Sequence, residues 1–168
     1  QSGIRKKWHE WILKNDEWRG AVRGYLASVS FADAQVGRLL DALDASPHAK
    51  NTIVVLWSDH GMHLGEKQQW EKFTLFEEAT RVPLMIIAPG VTKAGTVCDR
   101  PVNLLDVYPT LNELCSLPRR KDLDGVSLVP LLKNPKAKWE RPSITTWGKS
   151  NHAARGQRYR YIRHPNGD

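Results

Sequence analysis

The segment Ser58-Asp59-His60-Gly61-Met62-His63-Leu64-Gly65-Glu66 directly follows the apolar run Ile53 to Trp57. In open α/β sheets ligands bind beyond the carboxyl ends of the strands, so this segment is the first place to look for chemistry. Asp59 offers a carboxylate oxygen and His60 an imidazole nitrogen, both common donors to divalent metals, and Gly61 lets the backbone turn sharply beside them. The same pair also fits a capped loop start or an Asp-His hydrogen bond. Lys72 lies twelve residues beyond His60, in Trp70-Glu71-Lys72-Phe73. Flanked by aromatic bulk, its ammonium could bind an oxyanion as a point charge, or stand as an ordinary surface lysine. His63 is open in the same way, as a loop histidine with either a structural or a catalytic part.

The elements that must position these residues follow from periodicity. Residues 4 to 24 are predicted helical, with Ile4, Trp8 and Trp11 spaced to share one face that reads as core packing. Leu26, Val29, Ala32, Val36, Leu39, Leu40 and Leu43 recur every three or four residues, an amphipathic helix that stops near Ser46-Pro47. Thr52 to Trp57 and Leu84 to Ala88 are apolar without alternation, as in strands buried on both faces of a mostly parallel sheet. Between them the pattern predicts a loop from Ser58 to about Lys72 and a short helix at Thr74 to Thr80. A helix is expected over Leu104 to Leu117 and a short apolar element over Leu123 to Leu132. From Ser143 the chain reads as strands, ending on the hairpin-turn pair Asn166-Gly167. The resulting fold class is α/β: part of a mostly parallel sheet flanked by helices, followed by the start of a small antiparallel C-terminal sheet.

Composition sets the outer bounds. The chain has 168 residues and 40% hydrophobic content, which excludes a disordered or fibrous protein. Its longest apolar runs are five residues, against the roughly 20 that a membrane-spanning helix needs. Residues 1–115 hold 13 basic and 14 acidic side chains, residues 116–168 hold 12 and 4, so the net +7 arises as −1 plus +8. A basic final third suits an anionic substrate, a polyanion or a solvated face. Cys98 and Cys115 form no disulfide framework and leave the redox compartment open. The first residues, Gln1-Ser2-Gly3-Ile4, lack both Met and a signal-peptide core, and the last ones form a turn without a following strand. Truncation is expected at both ends.

Several ordered stretches together resemble the sulfatase family of the alkaline phosphatase superfamily, nearest its iduronate-2-sulfatase-like and choline-sulfatase-like branch. They are Tyr25 to Leu40, Ser58-Asp59-His60-Gly61 with His63-Leu64-Gly65-Glu66, Trp70-Glu71-Lys72, Leu75 to Leu84, Leu104 to Leu111, Leu123-Asp124-Gly125 and Arg158 to Ile162. The resemblance covers residues 20–168 and implies the C-terminal half of such an enzyme. Residues 1–117 then correspond to the second half of the α/β domain, 118–142 to a linker with a short helix, and 143–168 to the truncated C-terminal antiparallel subdomain. By resemblance, Asp59 and His60 complete a divalent-metal site, usually calcium. A nitrogen donor is unusual for calcium, so the residue types alone also admit magnesium, manganese or zinc. By resemblance again, Lys72 contacts the substrate sulfate and is the catalytic-site lysine, with His63 and His152 on the substrate side. A histidine capping a turn would explain His152 equally well.

The departure from the family pattern is large. Its formylglycine nucleophile, made from the cysteine of Cys-x-Pro-Ser-Arg, and an early Asp-Asp pair of metal ligands are both absent from this sequence. Cys115-Ser116-Leu117-Pro118-Arg119 is a near miss with its proline one place late. A covalent mechanism without its nucleophile does not run, so the expectation is a sulfuric ester hydrolase fragment inactive alone. Its expected partners are a sulfated sugar or small ester and the missing N-terminal half of the domain, with no nucleic acid and no membrane. The family suggests an exported or lysosomal location. A phosphodiesterase or phosphonate monoester hydrolase fragment is the alternative inside the superfamily. Outside it stands a non-catalytic polyanion-binding module built on Arg155, Arg158, Arg160 and Arg163.

Overall fold

The computed structural model describes residues 2–165, with side chains from residue 7 onward, so Ile4's side chain and the Asn166-Gly167 pair lie outside the described residues. The chain divides into two compact units, Gln1–Thr52 with His60–Arg81, and Ile53–Asp59 with Val82–Asp168.

In the first unit, helix α1 (Ser2–Lys14) is followed by α2 (Trp18–Asp44) after a break at Asp16, whose φ of 55° lies in the left-handed region. Helix α1 does not bury the tryptophan face that its spacing predicts. Trp8 and Trp11 remain half exposed and meet edge to face, whereas His9 and Ile12 are buried. The reason is polar: Trp70 Nε1 donates to His9 Nδ1 at 3.2 Å, which gives the buried indole N–H its acceptor. Trp18 stands edge to face with His9 and with Trp70, both at 5.5 Å. Helix α2 ends at Asp44, just ahead of Pro47 as predicted. Its apolar stripe divides, with Val36, Leu40 and Leu43 half-buried and Leu26, Val29 and Leu39 exposed.

The expected loop after His60 contains a miniature hairpin, in which β2 (His63–Leu64) pairs antiparallel with β3 (Trp70–Glu71). Its turn uses a left-handed Gly65 (φ 109°), where a Cβ would stand 2.2 Å from the Trp18 ring. The helix expected from Thr74 forms later, as α3 (Glu77–Thr80).

In the second unit, β1 (Val54–Trp57) and β4 (Leu84–Ile87) appear where expected but pair antiparallel with each other, in register Val54↔Ile87 to Trp57↔Leu84. Every strand pairing among the described residues is antiparallel, so the mixed α/β content stands while the parallel direction is not seen. An apolar run reports how a strand's faces are covered, not which way its neighbour runs. Here the coverage is incomplete on both faces, because Met85 and Ile87 on one and Trp57 on the other are about half exposed.

Helix α4 (Val107–Leu114) follows a 3₁₀ turn at Leu104–Asp106, and α5 (Val129–Lys133) is the only helical part of the apolar element at 123–132. Strands β5 (Ser143–Thr146), β6 (His152–Arg155) and β7 (Arg160–Arg163) make an antiparallel meander. A fully buried carboxylate ties these parts together. Asp106 accepts from the backbone N–H of Asn103 and of Val126, both at 2.9 Å, and from Arg141 Nη1 at 3.1 Å. Thr110 Oγ1 donates to the Asp106 carbonyl and accepts from the Leu128 N–H, and Asn103 Oδ1 accepts from the Ile144 N–H. The buried carboxylate is therefore paired and hydrogen-bonded on both oxygens, the condition under which a charge is tolerated inside a protein.

Candidate active site

His60 and Lys72 meet. Lys72 Nζ donates to His60 Nε2 at 2.8 Å, across eleven intervening residues that the β2–β3 hairpin folds back. His60 Nδ1 lies 2.8 Å from the Gly61 carbonyl, which can only accept, so Nδ1 carries the proton and Nε2 presents its lone pair. A ring nitrogen tied to a backbone carbonyl while the other is left as a donor atom is how proteins orient metal-binding histidines. Lys72 is exposed, with its ammonium 5.8 Å from the Phe73 ring centre.

The backbone around His60 is held by close packing. The Gly61 N–H donates to the Ala79 carbonyl at 2.8 Å, and a Cβ at Gly61 would fall 2.1 Å from the Glu78 carbonyl oxygen. No side chain fits there. Glycine is thus required for the approach of two backbones, a need that the sequence shows only as the Gly after His60.

His63 has no exposed surface. Its Nε2 lies 2.7 Å from Thr74 Oγ1, its ring stands edge to face with Phe76 at 6.3 Å, and its Nδ1 has no hydrogen-bond partner among the described residues, with Glu66 Oε2 at 3.9 Å. Burial pushes the imidazole below its usual pKa, against the opposing pull of the Glu78 and Glu66 carboxylates. Glu78 is itself held below the usual carboxylate range, chiefly by its hydrogen bond from Lys67.

Asp59 is exposed and belongs with the segment that ends β1. His152 opens β6, exposed, with Nδ1 3.0 Å from Thr146 Oγ1 and Arg163 opposite in the register. No group of three or more His, Cys, Asp or Glu able to hold a metal occurs among the described residues. Thr74 is the residue that sequence reasoning passed over: it lies in no motif, and only the folded hairpin brings it to His63.

The sulfatase family model matches residues 4–117. The chain is 46% identical over 158 residues to a sulfatase from Formosa agariphila, covering 94% of this chain and 31% of that protein. It is 42% identical over 113 residues to the human iduronate 2-sulfatase, covering 65% of this chain and 20% of that one. Among solved structures, one in complex with its substrate D-glucosamine-2-N,6-O-disulfate matches with a TM-score of 0.78 and 30% identity, over 87% of this chain and 32% of its own. The phosphonate monoester hydrolase SpPMH from Silicibacter pomeroyi matches with a TM-score of 0.69 and 25% identity, over 77% of this chain and 30% of its own. The chain thus spans about a third or less of the length of these relatives. With the family model covering two thirds of its residues, and with the Asp59-His60-Gly61 and Lys72 segments inside that match, the chain belongs to the sulfatase family.

Proposed function

We propose that this chain is part of a sulfuric ester hydrolase acting on a sulfated sugar or small ester, and that it supplies the sulfate-binding lysine and two ligands of a divalent metal. The observation that carries this reading is the 2.8 Å contact between Lys72 Nζ and His60 Nε2. It presents a cation and an imidazole at one point of an exposed surface, where a tetrahedral oxyanion can take hydrogen bonds from the ammonium. The relative solved with a disulfated glucosamine supports a sugar as the class of substrate.

The donor chemistry fits a metal in part. His60 Nε2 and the Asp59 carboxylate are suitable atoms, and calcium is the ion that the family resemblance favours, although its preference for oxygen makes the nitrogen donor unusual. Two ligands are fewer than the six to eight oxygens that calcium takes, so the chain carries a half-site. A metal held there supplies Lewis-acid polarisation of the sulfate oxygens. In this chain His60 is oriented by the Gly61 carbonyl, and the Lys72 ammonium, with three N–H groups, has donors beyond the one that meets His60 to offer a sulfate. With no Cys-x-Pro-Ser-Arg in its sequence, the chain alone is expected to hydrolyse no sulfate ester. We place the domain division at 1–117, 118–142 and 143–168, with β1 and β4 contributing to a larger and mostly parallel sheet.

The test is a titration of the isotope-labelled chain with sodium sulfate, at ionic strength held constant with chloride, followed by amide and side-chain NMR. Saturable shifts confined to His60, Gly61, Lys72 and Phe73, abolished in Lys72→Ala, are expected. No saturable shift, or shifts unchanged in Lys72→Ala, would refute the sulfate role. The likeness to a phosphonate monoester hydrolase carries the second reading, a fragment of an enzyme for phosphorus esters. Tighter binding of methylphosphonate than of sulfate at the same residues would favour it.

A further inference from the structure

We infer that His63 is a positioning residue for Lys72: with Thr74 it forms a brace that clamps the chain on both sides of the lysine and sets where its ammonium points. The inference rests on Lys72 being the anion-binding group. Lys72 follows β3 directly, and the last residue of β3, Glu71, is paired in register with His63. Glu71 has a φ of 69°, a left-handed conformation that a residue other than glycine rarely adopts, and it turns the chain out of the ladder just before Lys72. Such conformations persist where the surroundings over-determine them, often beside functional groups. Beyond Lys72, the Thr74 N–H donates to the Lys72 carbonyl at 2.8 Å, closing a tight turn over Phe73.

The hydroxyl of Thr74 completes the clamp. Thr74 Oγ1 accepts from the Phe76 N–H at 3.3 Å and lies 2.7 Å from His63 Nε2. The bond between His63 Nε2 and Thr74 Oγ1 forms in either tautomer, with Nε2 accepting from the hydroxyl or its N–H donating to Oγ1. One residue therefore holds the position before Lys72 through its backbone, in the strand register, and the position two places after it through its buried ring. His63 has no exposed surface, so it acts on an anion through Lys72 and not by touching it.

The experiment uses the whole chain labelled with ¹⁵N, and Thr74→Val and Thr74→Ser variants, with dispersed amide signals at Ile12 and Ala79, buried in the same unit, as the check that each is folded. Long-range spectra of the imidazole nitrogens report the tautomers of His63 and His60. The wild type should show His63 Nε2 hydrogen-bonded, and His60 Nε2 as a hydrogen-bonded acceptor. In Thr74→Val the His60 Nε2 resonance should move toward the unbonded position as Lys72 swings away, and sulfate should bind about fivefold more weakly, the scale of one lost hydrogen bond. Thr74→Ser should restore both. An unchanged His60 resonance in Thr74→Val overturns the brace, as does a His63 Nε2 resonance that Thr74→Val leaves unmoved. If the wild type shows no sulfate response at all, the functional reading fails, while the His60 resonance still decides the brace. A threonine that merely filled space would be replaced by valine without moving a histidine signal fourteen positions away in sequence.

Discussion

Replacing Asp106 by alanine should cost about 3–5 kcal/mol of the stability of its unit, the scale of breaking a buried, hydrogen-bonded ion pair. The carboxylate is fully buried and is the acceptor for two backbone N–H groups and one guanidinium nitrogen. Without it, the amides of Asn103 and Val126 lose their partner, each at about 1–3 kcal/mol, and Arg141 keeps only the Asp124 carbonyl. The separate costs do not add fully, because Arg141 is partly exposed and water can reach its end of the network. Asp106→Asn keeps the shape but exchanges one acceptor oxygen for a donor, and should cost about half as much, ~2 kcal/mol. Arg141→Met, at the solvated end, should cost about 1 kcal/mol. Native-state hydrogen exchange at Val126, Leu128 and Ile144 is the suitable assay, since these amides donate into the network. At tenfold per 1.4 kcal/mol, Asp106→Ala should accelerate their exchange by about two to three and a half orders of magnitude. An acceleration under about fivefold at all three amides, or an equal effect from Arg141→Met, would refute a central role for the carboxylate.

Two further outcomes follow from the hairpin unit. Gly65→Ala should lower the thermal midpoint by several degrees, because it adds a Cβ at positive φ against the Trp18 ring; an unchanged midpoint would mean that Trp18 does not seat there. His63 is depressed by burial, so the unfolded chain takes up a proton first as pH falls below about 6.5, the ordinary imidazole value. Its contribution is then fully present above that pH and is lost as pH falls toward the folded pKa. Urea midpoints should drop on going from pH 7.5 to 5.5, and by less in a folded His63→Gln variant; equal drops in both proteins would assign the dependence to another group.

What the sequence made legible was local. The stop of α2 at Pro47, the two short apolar strands and the C-terminal meander each follow from a few neighbouring residues. The Asp59-His60-Gly61 and Lys72 segments stood out by residue type, and the structure brings His60 and Lys72 into contact. What could not be read was decided by partners distant in sequence. The buried face of α1 was set by Trp70, sixty-one residues beyond His9, and not by the tryptophans of the helix itself. The direction of β1 and β4 depends on which strand lies alongside, to which an apolar run is blind. Two-residue strands such as β2 and β3 are too short for any alternation to show, so their segment read as loop. Asp106 stood in the sequence as an ordinary acidic residue in an apolar helix, with no sign of the loops that close upon it.

The antiparallel ribbon of β1 and β4 has a bearing on how the protein behaves at high concentration. Among the described residues each of its two strands is paired on one side only, and Met85 and Ile87 on one face and Trp57 on the other are about half exposed, the conditions under which another copy can add a strand. Pro83 and Pro89 bracket β4, and proline cannot donate to a ladder, so little more than the four residues of Leu84–Ile87 can be templated along that edge. Crowded solutions of the chain should therefore form small, reversible clusters that disperse on dilution, in place of the long fibrils that an uninterrupted edge would seed.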